Sequence, residues 1–384
     1  MSVLDPAVIP LSLYVHLPWC VRKCPYCDFN SHELTGAVPE DAYVTALLAD
    51  LDAELADGEA RPLQSVFIGG GTPSLFSGAA IARLLDGVRS RLPLLADAEI
   101  TLEANPGAVD EAHFARYREA GVNRLSIGVQ SLREAQLRAL GRIHTPGEVS
   151  RAVAAARAAG FDNFNLDLMH GLPGDAAGDA LADLEAALAF GPTHLSWYQL
   201  TIEEGTAFAR RPPALPDEDL TAAAVDSGMA RLAAAGFERY EISAYGQPGR
   251  ESRHNLNYWT FGDYLGIGAG AHGKLSRASG LLRTTKRRHP LAYMKAPAET
   301  RRAVPPADLV TEFAINALRL VAGFSAATFS ARTGLPWSAL EPALAAGLAR
   351  GWLVEQADGV RPSPLGLRFL NDLQLLFLPG TTDG

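Results

Sequence analysis

The sequence has 384 residues, 48% of them hydrophobic, which is enough for one large domain and a smaller one with a sizeable core. The formal charge of -9 argues against a general nucleic-acid binder, whose surface would be basic. There is no apolar run of about 18 residues and no signal-peptide pattern, so a cytoplasmic protein without a membrane span is expected.

The first predicted strand, residues 11–17, leads into a loop at residues 18–30 that contains every cysteine of the chain: Cys20, Cys24 and Cys27. Pro18 and Pro25 argue against a helix there. A structural zinc site uses four ligands and a redox pair uses two, whereas a 4Fe-4S cluster on three thiolates leaves one iron open for a small molecule. The loop therefore predicts such a cluster, with three buried cysteines without a ligand as the alternative.

Strands and helices then alternate as far as residue 243. Further strands are predicted at residues 64–68, 99–103, 124–129, 163–169, 193–200 and 239–242. Helices are predicted at residues 39–56, 78–92, 109–120, 147–159, 176–190 and 217–235. This order is typical of parallel strands joined by right-handed crossovers, so residues 1–243 predict a full or partial α/β barrel of the TIM type. In such a barrel the chemistry takes place at the C-terminal ends of the strands.

Polar groups follow these strands where a barrel has its active site. The second strand ends in a Gly-Gly-Gly-Thr-Pro turn at residues 69–73, whose glycines allow a ligand to approach the backbone closely. Glu103, Gln130 and Asp167 stand at later strand ends, where core packing explains them poorly. The alternative is that each side chain caps the following helix.

Residues 244–302 interrupt the alternation and are predicted to connect the barrel to a C-terminal domain. They are rich in glycine and aromatic residues and then become basic. Nine basic residues between 274 and 302 stand against Glu299 alone: Lys274, Arg277, Arg283, Lys286, Arg287, Arg288, Lys295, Arg301 and Arg302. The pattern favours a solvated surface segment over an anion-binding face for a ligand with propionates.

Residues 303–384 predict a small, mainly helical domain that resembles a winged helix. Helices are expected at 307–321, 325–333 and 337–350, followed by a hairpin at 352–361 with Asp358-Gly359 as its turn. Five arginines against seven acidic residues give no support for phosphate binding. We therefore expect an interaction domain.

The spacing Cys-x-x-x-Cys-x-x-Cys with an aromatic residue before the last cysteine, followed by the Gly-Gly-Gly-Thr-Pro turn, resembles the radical S-adenosylmethionine superfamily. The further order TLEANP, IGVQS and NxDLMxGLP resembles the oxygen-independent coproporphyrinogen oxidase group over nearly the whole chain. The resemblance implies a 4Fe-4S cluster whose open iron binds S-adenosylmethionine. It also implies that the reduced cluster splits the sulfonium bond to give a deoxyadenosyl radical.

The resemblance carries ligand roles to individual positions of this sequence. It implies that Tyr26 packs on the cluster and that S-adenosylmethionine is held by Tyr14, Gly70, Gly71, Thr72, Glu103, Gln130, Arg142 and Asp167. His16 lies nearby and is interpreted as an ordinary core histidine.

Two features separate the chain from the oxidase itself. Phe29 occupies the position of a fourth cysteine, and the stretch His-Asn-Leu-Asn-Tyr-Trp at residues 254–259 resembles a signature of the haem chaperone branch. That branch implies His254 as a haem ligand with aromatic rings over the macrocycle. On residue type alone, His254 is an ordinary hydrogen-bonded histidine.

Two functions therefore stay open. The preferred one is a haem chaperone that carries the cluster and S-adenosylmethionine, binds haem and passes it to respiratory proteins. The alternative is a radical enzyme that oxidatively decarboxylates the propionates of coproporphyrinogen in porphyrin biosynthesis. An electron donor is an implied partner in both cases, and a homodimer is left open.

Overall fold

The structure is a computed structural model that describes residues 4–108 and 111–379. Its strands are β1 (Leu11–Leu17), β2 (Trp19–Cys20), β3 (His32–Glu33), β4 (Leu63–Gly70), β5 (Leu94–Ala104), β6 (Arg124–Gln130), β7 (Phe164–His170), β8 (His194–Gln199), β9 (Glu238–Glu241), β10 (Ala244–Gly246), β11 (Asp263–Ile267), β12 (His272–Arg277), β13 (Gly280–Lys286), β14 (Glu299–Ala303), β15 (Phe324–Ser325), β16 (Leu353–Gln356) and β17 (Gly359–Pro362). Its helices are α1 (Glu40–Leu55), α2 (Gly78–Arg89), α3 (Glu111–Ala120), α4 (Glu134–Ala139), α5 (Pro146–Ala158), α6 (Asp179–Leu188), α7 (Ala207–Arg210), α8 (Glu218–Ala234), α9 (Arg253–Trp259), α10 (Pro290–Lys295), α11 (Leu309–Ala317), α12 (Ala326–Thr333), α13 (Glu341–Ala349), α14 (Pro364–Arg368) and α15 (Leu370–Leu375). None of the described helices is long and apolar enough to cross a membrane.

The main element of the fold is a mixed sheet, and in the described residues its strand order is β14-β13-β12-β11-β1-β4-β5-β6-β7-β8-β10-β9. The run from β11 to β8 is parallel throughout. Its strands are nearly continuous apolar runs because helices cover the sheet, and every residue of β6 is buried. The predicted α/β barrel is confirmed in its partial form, since the order ends at β14 and β9.

The prediction for the last barrel strand was wrong in its direction. Residues 239–242 were expected to extend the parallel sheet, but β9 pairs antiparallel with β10, and β10 pairs antiparallel with β8. Two residues separate β9 from β10, which is long enough for a tight antiparallel connection and far too short for a crossover. The first two residues of the helix predicted at 109–120 lie outside the described residues, and α3 covers the remaining ten.

The segment between the barrel and the C-terminal helices continues the sheet. β11 pairs parallel with β1, and β12, β13 and β14 follow it as an antiparallel ribbon. These strands were not predicted from the sequence, because their short runs are interrupted by glycine and basic residues. The wall beside β1 is therefore built from the basic stretch.

The expectation that this basic stretch is a solvated surface was wrong for two of its lysines. The side chain of Lys274 is 1% exposed and lies 3.0 Å from Asp263. Lys286 is equally buried, lies 2.7 Å from Asp50 and contacts Glu54, so it joins β13 to α1. Buried ammonium groups need such carboxylate partners. Asp50 and Glu54 are distant from Lys286 in sequence, whereas Asp263 is 11 residues from Lys274.

The C-terminal part has its own apolar core, which includes Phe313, Phe329 and Leu373. The predicted helices appear as α11, α12 and α13, and the predicted hairpin is β16 and β17. Gln356 pairs with Gly359, so the two turn residues are 357 and 358, one position earlier than expected.

Candidate functional site

A cavity of about 390 Å³ opens at the C-terminal ends of the parallel strands. We call it the first cavity. Its walls include all three cysteines and most of the residues that the resemblance assigned to the cofactor: Cys20, Cys24, Cys27, Tyr26, Gly70, Gly71, Thr72, Glu103, Gln130, Arg142 and Asp167.

The cysteine loop is fastened at both ends. β2 and β3 pair Trp19 with His32 and Cys20 with Glu33, and the chain turns between Cys24 and Cys27 through a backbone hydrogen bond of 3.1 Å. The loop therefore holds three sulfur atoms against one cavity, and all three cysteines are free of disulfides.

Each sulfur atom has a polar neighbour. Thr72 Oγ1 donates to Cys20 Sγ at 3.5 Å, and Cys27 Sγ lies 3.7 Å from the Ser31 hydroxyl. Arg142 Nη1 donates to Cys24 Sγ at 3.7 Å. Such hydrogen bonds tune the reduction potential of an iron-sulfur cluster.

Three free cysteines on one cavity match the donor set of a 4Fe-4S cluster with one open iron. Among the described residues, no three His, Cys, Asp or Glu side chains converge closely enough to hold one metal ion. In a 4Fe-4S cluster each thiolate binds a different iron, so the sulfur atoms stand apart around the cluster. Arg142 adds a buried cation with no carboxylate partner in the described structure, which suits a cluster with anionic ligands.

Close packing against the start of the cysteine loop requires glycine at positions 70 and 71. The Gly71 amide donates to Leu17 at 2.8 Å, and a Cβ on Gly71 would meet the Trp19 carbonyl oxygen at 2.5 Å. Gly70 has φ +119°, and a Cβ there would lie 2.8 Å from the His16 ring. The turn thus packs directly on the start of the cysteine loop, which a larger residue would displace.

Glu103 and Asp167 place two buried carboxyl groups in the same cavity. Burial, reinforced by Asp167, raises the pKa of Glu103 to about 8, although its carboxylate accepts from the Gly70 amide at 3.0 Å. Burial also raises the pKa of Asp167, which accepts hydrogen bonds from Ser126 and Asn165. Helix capping does not explain either carboxyl group, since both engage strand and turn residues.

Gln130 has a strained backbone conformation, and Arg142 is held by a hydrogen bond to the backbone nearby. Gln130 has φ +67° at a shift in register between β6 and β7, and its side-chain oxygen accepts from the Tyr198 hydroxyl at 2.8 Å. Arg142 donates to the Gly128 carbonyl at 2.8 Å. A non-glycine residue at positive φ is strained, and such strain concentrates at functional sites.

A second cavity of about 730 Å³ adjoins the first, and the two share Asp28, Phe29, Gly70 and Glu103. Aromatic rings dominate its walls, and basic side chains are also present: Tyr14, Phe29, Phe67, Tyr258, Trp259, Phe261, Tyr264, Lys274, Arg283 and Arg288. The structure therefore does not bring Tyr14 into the first cavity with the other predicted cofactor residues. Its hydroxyl lies 2.8 Å from His16 Nδ1 instead.

His254 lies in neither of these two cavities. It is 6% exposed, its ring stacks on Phe67 with centroids 3.9 Å apart, and its Nδ1 is 3.1 Å from Glu99. Burial would raise the pKa of Glu99, but the hydrogen bond from His254 and the charge of Arg124 outweigh it and lower this pKa to about 2. In this structure His254 fastens α9 to β5, and its role as a haem ligand stays a prediction.

The sequence profile of the radical SAM superfamily matches residues 14–187, and that of the HemN C-terminal domain matches residues 304–369. The heme chaperone HemW of Escherichia coli is 54% identical over 371 residues, which cover 96% of this chain and 98% of that protein. The chain belongs to the HemW family. The heme chaperone HemW of Haemophilus influenzae is 46% identical, with 97% and 99% of the two chains covered.

The fold of this HemW-family chain also matches a solved structure. The Escherichia coli coproporphyrinogen III oxidase HemN, described as a radical SAM enzyme, superposes with a TM-score of 0.82 at 22% identity. The match covers 97% of this chain and 90% of that one. At this identity the likeness concerns the fold alone.

Asn105 and Tyr198 line the first cavity and were missed in the sequence. Asn105 donates to Thr72 Oγ1 at 2.9 Å and contacts Arg142, so it links two residues that contact cysteines. It belongs to the TLEANP stretch, which was the available signal. Tyr198 supports Gln130 from β8 and carried no signal, since an aromatic residue in a buried strand is ordinary core.

Proposed function

We propose that this chain is a cytoplasmic haem chaperone that binds haem and transfers it to haem-requiring respiratory proteins. The single observation that carries the proposal is the second cavity, which combines aromatic walls with basic side chains directly beside the first cavity. Its volume falls in the range of ligand sites, and a planar macrocycle with two propionates matches this chemistry. The near full-length similarity to proteins named heme chaperones supports the same function.

The first cavity would hold the two cofactors that the superfamily implies. Cys20, Cys24 and Cys27 would bind the 4Fe-4S cluster, and the turn with Gly70 and Gly71 would lie against S-adenosylmethionine. When bound, the cluster would pass on electrons that it receives from an external donor. The protein orients the cofactor, shields it from water and sets the charge around it.

The remaining groups have defined tasks in this arrangement. The protonated Glu103 can donate a hydrogen bond at neutral pH, because burial raises its pKa to about 8. Arg142 offsets negative charge beside Cys24. Phe29, with 60% of its surface exposed, lines both cavities at the position where the resemblance implies a fourth cysteine in the oxidase.

A second function is favoured by one observation. The first cavity retains nearly the whole set of residues that the resemblance assigns to S-adenosylmethionine, which a pure carrier would not need. That set supports an oxygen-independent coproporphyrinogen oxidase, for which the cluster and S-adenosylmethionine would supply the radical chemistry of propionate decarboxylation.

Two assays under oxygen-free conditions separate these functions. The haem-loaded protein is mixed with a haem-free respiratory cytochrome, and transfer is followed by the absorption spectrum of the cytochrome. The protein is separately incubated with coproporphyrinogen, a reductant and S-adenosylmethionine. We expect transfer without protoporphyrinogen formation, whereas clear protoporphyrinogen formation without transfer would establish the oxidase.

A further inference from the structure

Three histidines lie in or beside the second cavity, and their ring nitrogens differ in availability. Both nitrogens of His16 are occupied, because Nδ1 is 2.8 Å from the Tyr14 hydroxyl and Nε2 is 2.9 Å from the Asn30 carbonyl. A nitrogen engaged in this way has no lone pair or no space for a metal. His16 is therefore unavailable as an iron ligand.

His254 is excluded from the cavity by its packing. Its ring is buried behind Phe67, and its Nδ1 lies close to both Glu99 and the Ser252 hydroxyl. To reach a ligand in the second cavity, the ring would have to leave all three contacts. The signature stretch instead gives the cavity its Tyr258 and Trp259 side chains.

His272 is the histidine with a free nitrogen on the cavity wall. It begins β12, is exposed, and its Nδ1 lies 3.2 Å from Thr285 Oγ1 on the paired strand β13. No other hydrogen bond of this ring occurs in the described structure. When Nδ1 donates to the threonine hydroxyl, Nε2 keeps its lone pair, which is the arrangement that metal-binding histidines use.

The basic side chains of the second cavity also differ in whether a carboxylate already pairs with their charge. Arg283 pairs with Glu312, and Lys274 is buried against Asp263, so both charges are already satisfied. Arg288 has no ion pair with a described carboxylate, and its Nε makes only a long contact of 3.4 Å to Asn30. Its terminal nitrogens are free to bind an anionic group.

We propose that haem binds in the second cavity, with His272 Nε2 as an axial ligand of the iron and Arg288 paired with a propionate. This inference rests on the proposed function and specifies the haem site within it. The rings of Phe29, Tyr258 and Trp259 would cover the macrocycle.

The axial ligand is tested by titrating ferric haem into the full-length, cluster-loaded protein without oxygen. The readouts are the Soret band and the electron paramagnetic resonance of the iron. We expect His272→Ala to change both and to weaken binding about tenfold or more, and free imidazole to restore the wild-type spectrum. His289→Ala is the matched control, because His289 is exposed on the same segment and lines neither cavity.

The propionate contact is tested with haem and haem dimethyl ester. Arg288→Ala should weaken haem binding roughly fivefold and leave binding of the ester unchanged. Arg287→Ala is the control, since this neighbouring arginine is exposed and lies outside the cavity wall.

The outcomes separate the site from the function. If the wild type binds haem and His272→Ala has an unchanged spectrum while His254→Ala loses it, the proposed site is overturned and the chaperone function stands. If the wild type binds no haem, the proposed function fails and the site fails with it.

Discussion

Replacing Lys286 by methionine should strongly destabilise the wall between the barrel and the second cavity. The ammonium group lies 2.7 Å from both Asp50 and Glu299, contacts Glu54, and is 1% exposed. Methionine has a similar length and lacks the charge, so three carboxylates would face one another in a buried site. Removing one partner of a buried ion pair costs about 3–5 kcal/mol.

The cost should depend on pH in a defined direction. Burial and Glu299 already raise the pKa of Glu54 to about 7, and loss of the lysine would raise it further. A carboxyl group whose folded pKa is raised destabilises the protein above its unfolded pKa, and the penalty shrinks as pH falls towards that value. Lys286→Met should therefore lose more stability at pH 8 than at pH 5.5.

The assay is urea unfolding of the oxygen-free protein, followed by circular dichroism at both pH values. Lys295→Met is the control, because Lys295 is exposed on α10 and its replacement should change stability by less than about 0.5 kcal/mol. The double variant Lys286→Met with Glu54→Gln should recover part of the loss. A Lys286→Met variant within about 1 kcal/mol of the wild type at pH 8 would refute the reasoning.

Three further predictions concern the first cavity. Gly71→Ala should displace the turn from the Trp19 carbonyl and lower the iron content, whereas Gly147→Ala, whose Cβ meets nothing closer than 3.7 Å, should leave iron content unchanged. Glu103→Gln should remove a stability loss of about 2 kcal/mol that the wild type shows between pH 5 and pH 7, because the buried group has pKa about 8 and about 4.5 unfolded; an equal pH profile in chemical unfolding would contradict this. Gln130→Gly and Gln130→Ala both lose the hydrogen bond from Tyr198, but only glycine relieves the strain at φ +67°, so Gln130→Gly should melt at the higher temperature of the two, and both should weaken S-adenosylmethionine binding in calorimetry; a Gln130→Ala variant as stable as Gln130→Gly would argue against strain.

The fold was predictable where the pattern is local. The parallel strands β1 and β4 to β8 alternate with helices along the chain, and this alternation predicts their parallel direction. β11 was not predictable, since its pairing with β1 joins residues about 250 positions apart and its own sequence is short and interrupted by glycine. The same long separation hid the Asp50 and Glu54 partners of Lys286.

The candidate site divides in a similar way. Cysteine spacing and the glycine turn are short-range patterns, and the structure places these residues in one cavity. The setting of His254 was not visible in the sequence, because Glu99 is 155 residues away and Phe67 covers the ring from another strand. Residue type alone favoured an ordinary histidine and the family resemblance implied a haem ligand, whereas the packing shows which contacts the ring makes.

The most direct test of the whole account is Mössbauer spectroscopy of iron-57-labelled protein purified without oxygen, with and without S-adenosylmethionine. We predict a 4Fe-4S cluster in which one iron is distinct and changes its signal when S-adenosylmethionine is added, and loss of the cluster in Cys24→Ala. Zinc in place of iron, or four equivalent irons that ignore S-adenosylmethionine, would contradict the assignment of Cys20, Cys24 and Cys27.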